Sequence, residues 1–131
     1  MSKLIYCATP SRIVKSNKGM ITQIMDLVTN QGYGPLHPFQ ALPYERYEGG
    51  PVGRDKSMEF CLRLVDISDE LWMFGISNGT LMEVVRAQGR EKPVELKFEG
   101  FDPQWKEFYE QLGAEFGNPL DKMLAEMGLS K

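Results

Sequence analysis

The chain has 131 residues, 42% hydrophobic and 25% charged, an ordinary globular composition at single-domain size, which excludes a disordered polymer and predicts one hydrophobic core. Fifteen Lys and Arg against eighteen Asp and Glu give a formal net charge of −3, no footprint for nucleic acid. Apolar runs such as 71–74 fall far short of the ~20 residues of a membrane span, Met1–Lys3 leads into no signal-peptide core, and two cysteines with one histidine make neither a zinc tetrad nor a disulfide framework; the expectation is a cytoplasmic protein with reduced thiols, no metal and no cofactor.

Lys3 to Thr9 (KLIYCAT), stopped by Pro10, predicts a buried strand. From Lys18 to Gln31, Met20, Ile21, Ile24, Met25, Leu27 and Val28 recur at helical intervals until Gly32, which predicts a helix. Tyr33 to Phe39 predicts a short second strand ending near His37, and Tyr44 to Gly53, with its Gly-Gly-Pro, a mobile surface loop without an element. Asp55 is placed to cap a helix running to about Ile67, with Met58, Cys61, Leu62, Val65 and Phe60 facing inward. Leu71 to Ile76 (LWMFGI) has the continuous apolar pattern of a central strand covered on both faces. Ser77 to Thr80 then opens a helix on whose inner face Leu81, Val84, Val85 and Gln88 repeat until Gly89. Pro93 to Phe98 predicts a further strand, and Asp102 to Phe116 and Pro119 to Met127 two terminal helices.

This alternation predicts a single doubly wound α/β domain over 1–131, flavodoxin- or Rossmann-like, with a mostly parallel sheet, helices on both faces and a C-terminal helical extension over 102–131. In such sheets ligands bind at the carboxyl ends of the strands. That rim holds Thr9, Ser11 and Arg12 after the first strand, His37 to Gln40 after the second, and Ser77, Asn78 and Gly79 after the third, where the N-terminus of a helix suits an anion.

Asp69-Glu70-Leu71-Trp72-Met73-Phe74-Gly75, Ser77-Asn78-Gly79-Thr80-Leu81-Met82-Glu83, Ala87-Gln88-Gly89 and Lys92-Pro93-Val94 together resemble the nucleoside 2-deoxyribosyltransferase-like superfamily, which includes the 2′-deoxynucleoside 5′-phosphate N-hydrolases. The resemblance covers roughly Leu4 to Val94 and implies a nucleoside deoxyribosyltransferase-like domain. It also implies that Glu83 is the nucleophile on the anomeric carbon, that Tyr6 orients it, and that Ser77 holds a 5′-phosphate. The activity it implies is N-glycosidic bond cleavage or transfer on a small-molecule nucleotide or nucleoside, by an N-glycosidase or a deoxyribosyltransferase. Where the superfamily carries a sugar-contacting aspartate this chain has Cys61, with Glu59 two positions earlier as a possible substitute; Cys61 should face the Glu83 loop. The alternative is a non-catalytic nucleotide-binding module on the same fold.

Each of these residues also has a plain structural reading. Glu83 lies opposite the Leu81, Val84 and Val85 stripe and would be a solvated glutamate in a helix first turn. Ser77 would be an N-cap, and Tyr6 a core tyrosine. Arg12 would pair with a phosphate or be a surface charge, His37 would bind substrate or be structural, and Cys7 and Cys61 read as buried small hydrophobes. Trp105, Phe108 and Tyr109 form either the packing face of a terminal helix or the surface of a homodimer or higher homo-oligomer.

Overall fold

A computed structural model describes residues 2–128. Four parallel strands, β1 (Leu4–Ala8), β2 (Gly34–Leu36), β3 (Glu70–Met73) and β4 (Val94–Leu96), lie in the order β2-β1-β3-β4. The described residues form seven helices: α1 (Ser11–Ser16), α2 (Met20–Asn30), α3 (Pro38–Ala41), α4 (Arg54–Ile67), α5 (Asn78–Gly89), α6 (Trp105–Phe116) and α7 (Asp121–Glu126). This is the expected flavodoxin- or Rossmann-like architecture.

Strand alternation sorts the core into two layers. Ile5, Cys7, Trp72 and Phe74 pack with Ile24 and Val28 of α2 on one face of the sheet. Tyr6, Ala8, Leu71 and Met73 pack on the other with Val65 of α4, Leu81, Val84 and Ala87 of α5, and Tyr109, Leu120 and Leu124 from the terminal helices. Tyr6 sits opposite Leu36 of β2 and Leu71 of β3, so its side chain leaves the middle of the sheet toward α5. The chain leaves β1 for α2 on one face and β3 for α5 on the other, and the carboxyl ends of these neighbouring strands open the crevice that such a reversal creates.

Several local expectations change. Asp55 does not cap α4: the helix begins at Arg54 behind Gly53, whose φ of 87° suits glycine, and Asp55 lies in the first turn. α5 is phased differently from the expected stripe, because Thr80, Glu83, Val84 and Ala87 are buried whereas Val85 and Gln88 are exposed. Ala87 continues the i, i+3, i+4, i+7 repeat begun at Thr80, and Glu83 falls within it. α6 starts at Trp105 rather than Asp102, whose carboxylate accepts from the Ile76 and Gln104 N–H groups instead. Residues 44–53 hold no helix or strand, as expected, but fold as hydrogen-bonded turns: Tyr47 N–H donates to Pro43 O at 3.1 Å, Gly49 N–H to Tyr44 O at 2.9 Å and Gly53 N–H to Tyr47 O at 2.9 Å.

The terminal helices are built into the α4/α5 layer. Tyr109 is buried, and Trp105 and Phe108 pack beside it, Trp105 stacking on Phe98 with ring centroids 5.1 Å apart. Tyr109 thus belongs to the core, while Trp105 and Phe108 pack against it half-buried. If α7 belongs to the core, Leu124→Ala, which empties a site 2% exposed, should cost about 2–5 kcal/mol in urea unfolding. A loss under ~0.5 kcal/mol would make α7 a detachable appendage.

Candidate active site

The segments that follow β1 and β3, the long β2–α4 connection and the N-terminal turns of α4 and α5 line a cavity of about 120 Å³ at the carboxyl edge of the sheet. Glu83 and Cys61 lie in its wall, Ser77, Asn78 and Gly79 at the start of α5, and Thr9 and Ser11 beyond β1. Six of the substrate-binding expectations thus come together around Glu83.

Glu83 is 4% exposed, and the Tyr6 hydroxyl donates to its Oε2. Among the described residues the carboxyl group has no ion-pair partner, so burial dominates its chemistry and, helped by Glu48 across the cavity and opposed by the Tyr6 hydrogen bond, pushes its pKa up to about 8. The same burial and the nearby Glu83 charge hold the Tyr6 hydroxyl well above its ordinary value. Cys61 faces this pair from α4, as expected, and burial, with Glu83 behind it, raises its thiol to about 12. The solvated-glutamate reading of Glu83 therefore does not hold. A buried carboxyl group answered by one hydroxyl is costly to the fold, the arrangement found where a site needs a tuned acid.

Ser77 caps α5 in a capping box: its Oγ accepts from Thr80 N–H at 3.1 Å, and Ser77 N–H donates to Thr80 Oγ1 at 2.9 Å. The cap leaves the N–H groups of Asn78 and Gly79 without an acceptor among the described residues. Both point to the anion-binding end of a 12-residue helix. Gly79 is required by packing, since a Cβ there would lie 2.9 Å from Met58 Cε of α4. Asn78 accepts from Arg54 Nη2 at 3.0 Å and donates to Glu115 at 3.2 Å.

Three of the expected substrate-binding residues lie outside the cavity, and Tyr6 reaches it only through its hydrogen bond to Glu83. Arg12 is not available to a phosphate. Its guanidinium pairs with Asp102, Nη2 to Oδ2 at 2.9 Å, donates to Ile76 O at 2.6 Å and rests 3.8 Å over the Phe108 ring. Asp102, 1% exposed, thereby anchors the β3–α5 turn, and at Gly75 any Cβ would meet Asp102 Oδ2 at 2.9 Å. His37 is buried and structural: Nδ1 accepts from Phe39 N–H at 3.2 Å as the cap of α3. Nε2 therefore carries the hydrogen and donates to Thr9 Oγ1 at 3.1 Å, while Thr9 donates to Cys7 O at 3.1 Å. Burial lowers the His37 pKa to about 4 and keeps it neutral. Glu59 points to solvent with its side chain 63% exposed and pairs with Lys56, so it cannot replace the missing aspartate. Asp66 is likewise held elsewhere, by Arg86 Nε at 2.7 Å.

The cavity also has walls that the sequence reading left out. Tyr47 and Glu48 come from the 44–53 turns, and Arg54 from the first turn of α4. All three lie on the connection that follows β2. The rule that ligands sit at strand carboxyl ends covers that whole connection, not only its first residues, and applied so would have included them.

A family model described as a domain of unknown function (DUF7768) matches residues 3–97. No curated protein and no solved structure matches the chain.

The buried carboxyl group makes stability depend on pH with a definite sign. An unfolded chain releases the Glu83 proton near 4.5 and the folded protein near 8, so the folded state binds more protons between these values and stability falls as pH rises through them. Glu83→Gln removes the effect. Its melting temperature should gain on the wild type progressively from pH 5 to pH 9, and a constant difference across that range would show that Glu83 ionises normally.

Proposed function

The chain belongs to the DUF7768 family, and we propose that it cleaves or transfers the N-glycosidic bond of a small-molecule nucleotide or nucleoside, with Glu83 as nucleophile. The observation that carries this reading is the placement of a buried carboxyl group, hydrogen-bonded by Tyr6 and without a cationic partner among the described residues, in the wall of a cavity at the crevice of the sheet. An oxocarbenium-like transition state is stabilised by an adjacent negative charge, and a carboxylate held still by a tyrosine can go on to form the covalent glycosyl intermediate. The resemblance of Leu4 to Val94 to the nucleoside 2-deoxyribosyltransferase-like superfamily supports the same roles for Glu83 and Tyr6.

A 5′-monophosphate fits the α5 end of the cavity. The two free N–H groups of Asn78 and Gly79 supply donors, and Arg54, with no carboxylate partner among the described residues, supplies the charge. Ser77 then serves the phosphate indirectly, by holding the helix end in shape.

The second reading, a nucleotide-binding module without turnover, draws on Cys61 where an aspartate was expected and on Glu59 and Asp66 lying outside the cavity. A panel of nucleotides and nucleosides assayed for free base separates the two. Under the enzymatic reading some member releases its base, and kcat/KM rises with pH about a midpoint near 8 as Glu83 loses its proton. Glu83→Gln should lower that release by ~10⁴-fold or more with the fold intact. Nucleotide binding with no release from any member would leave the binding module standing.

Phosphate recognition has its own test. Arg54→Gln should weaken binding of a 5′-monophosphate by ~10-fold or more and leave that of the unphosphorylated nucleoside nearly unchanged, since a hydrogen bond to a charged group contributes about 1.5–3 kcal/mol. Ser77→Ala should instead cost about 1 kcal/mol of stability as a lost cap and affect both ligands equally. Calorimetric titration of the two ligands measures both; equal losses in Arg54→Gln would place the phosphate elsewhere.

A further inference from the structure

Attack by Glu83 on an N-glycosidic bond sets two demands. The carboxyl group must be ionised, and the base must depart without surplus negative charge, ordinarily by taking a proton from an acid. Among the described residues, the side chains around the cavity meet neither demand.

Ionisation calls for a positive charge beside Glu83. The groups that face it are the Tyr6 hydroxyl from β1, the Cys61 thiol from α4 and Glu48 across the cavity. Arg86, on the same helix, turns away to Asp66. Arg54 lines the cavity but is held at the start of α5, its Nη2 3.0 Å from Asn78 Oδ1. Burial and the Glu48 charge therefore keep the proton on Glu83 up to a pH of about 8. A 5′-phosphate matched to Arg54 brings still more negative charge into the same cavity.

The base finds no better provision for its proton. Cys61 stands where an acid was expected, and burial raises its thiol to about 12. The Tyr6 hydroxyl is held well above its ordinary value and is committed to Glu83. Glu59 and Asp66 are paired outside the cavity with Lys56 and Arg86, and His37 is neutral and bonded to Thr9 and Phe39. Glu48 acts on Glu83 as a negative charge. Pro38, Phe39, Leu42 and Met58, which complete much of the lining, carry no proton to give.

One property of a substrate removes both deficits. We infer that the site takes a nucleotide whose base is positively charged in the ring attached to the sugar, of the pyridinium or N7-alkylated purine type. The inference rests on the N-glycosidic reading above. The substrate's own bonds set the place of the charge: the ring nitrogen is joined to the anomeric carbon, and that carbon is the atom Glu83 attacks, so the positive ring lies next to the carboxyl group. An opposite charge that close lowers a carboxyl pKa by roughly 1–3, and Glu83 gives its proton to solvent. A Glu83 oxygen then bonds to the anomeric carbon while the carbon–nitrogen bond breaks. The electron pair of that bond passes to the ring nitrogen and cancels its positive charge, so the base leaves neutral without a proton. In hydrolysis a water oxygen bonds to the anomeric carbon, the water proton goes to solvent, and Glu83 departs with its bonding pair. With the cation gone, Glu83 takes a proton back.

The test separates charge from ease of departure. Nicotinamide mononucleotide and N7-methylguanosine 5′-monophosphate carry positive bases; guanosine, uridine and 5-fluorouridine 5′-monophosphates carry neutral ones, the last a base that departs readily. Each is assayed in its ribose and 2′-deoxyribose form, and the rate of base release is divided by the spontaneous rate under the same conditions. At pH 6.5 this ratio for the better cationic nucleotide should exceed that of every neutral one by about tenfold or more, the gain in ionised Glu83 expected when its pKa falls by roughly 1–3. With that nucleotide, the pH midpoint of single-turnover release at saturation should lie about one pH unit or more below the kcat/KM midpoint near 8. Glu83→Gln should slow release from every member, which ties the readout to this site. A neutral nucleotide that matches or exceeds the cationic ones in this ratio, or two midpoints that coincide, would overturn the cationic substrate while Glu83 keeps its role. Absence of release by the wild type from every nucleotide tested overturns the N-glycosidic reading and this inference with it.

Discussion

The hydrogen bond from Tyr6 to Glu83 joins the middle of the sheet to the first turns of α5, and the rest of the site is arranged around it. A carboxyl group in an apolar layer is expensive, and one hydroxyl does not offset the lost hydration. The surrounding layer supplies the difference: Val65, Leu71, Met73, Leu81 and Val84 bury enough apolar surface to hold the pair in place. The consequence is a carboxyl group that keeps its proton near neutrality.

Holding α5 in that position is the task of a second polar cluster. Asp102 accepts from the Ile76 N–H at 2.9 Å and from Arg12, and Arg12 in turn donates to Ile76 O. The turn between β3 and α5 is thus clamped from both sides at its last residue before the cap. Asp102 lies beyond residues 3–97, and so do Tyr109, Leu120 and Leu124, which join Leu81, Val84 and Ala87 of α5 in one apolar cluster. Within this chain, residues that shape the candidate site extend past the family domain.

The cavity's open side is made by the connection from β2 to α4. His37 caps α3 and bonds Thr9, which ties the beginning of this connection to the end of β1. Its middle is held by the Tyr47–Phe60 contact and by Lys15, whose ammonium reaches the Tyr44 hydroxyl at 3.3 Å. Charge and polarity are distributed unevenly over the result: a cation and free N–H groups where α4 and α5 begin, the buried Glu83 carboxyl group further along α5, and the half-buried Glu48 on the turns of the connection.

Much of the fold was legible in the residues because periodicity reports burial directly. The apolar runs at 3–9 and 71–76, the helical repeat at 20–28 and the Ser77 cap each specify a local structure whose energetics are local, and the doubly wound sheet follows from their alternation. Glu83 and Tyr6 were legible as candidates through a motif, but their burial was not, since the repeat on α5 can be phased through Val85 or through Ala87 and only packing against β3 and α4 selects the second. Arg12, His37 and Glu59 were misplaced for a related reason: a side chain's partner is a matter of distance in space, and Asp102, Thr9 and Lys56 compete for these groups before any ligand does. Glu48 and Arg54 were reachable only by extending the strand-end rule over the whole β2–α4 connection, since the turns at 44–53 have no period from which to infer where a side chain points. The sequence by itself determined which segments become strands and helices and which faces are apolar, through side-chain hydrophobicity and backbone preference. Only the tertiary structure decided which polar groups end up buried together, because that depends on contacts between residues as far apart as Tyr6, Glu48 and Glu83, brought to one cavity by the order of the strands.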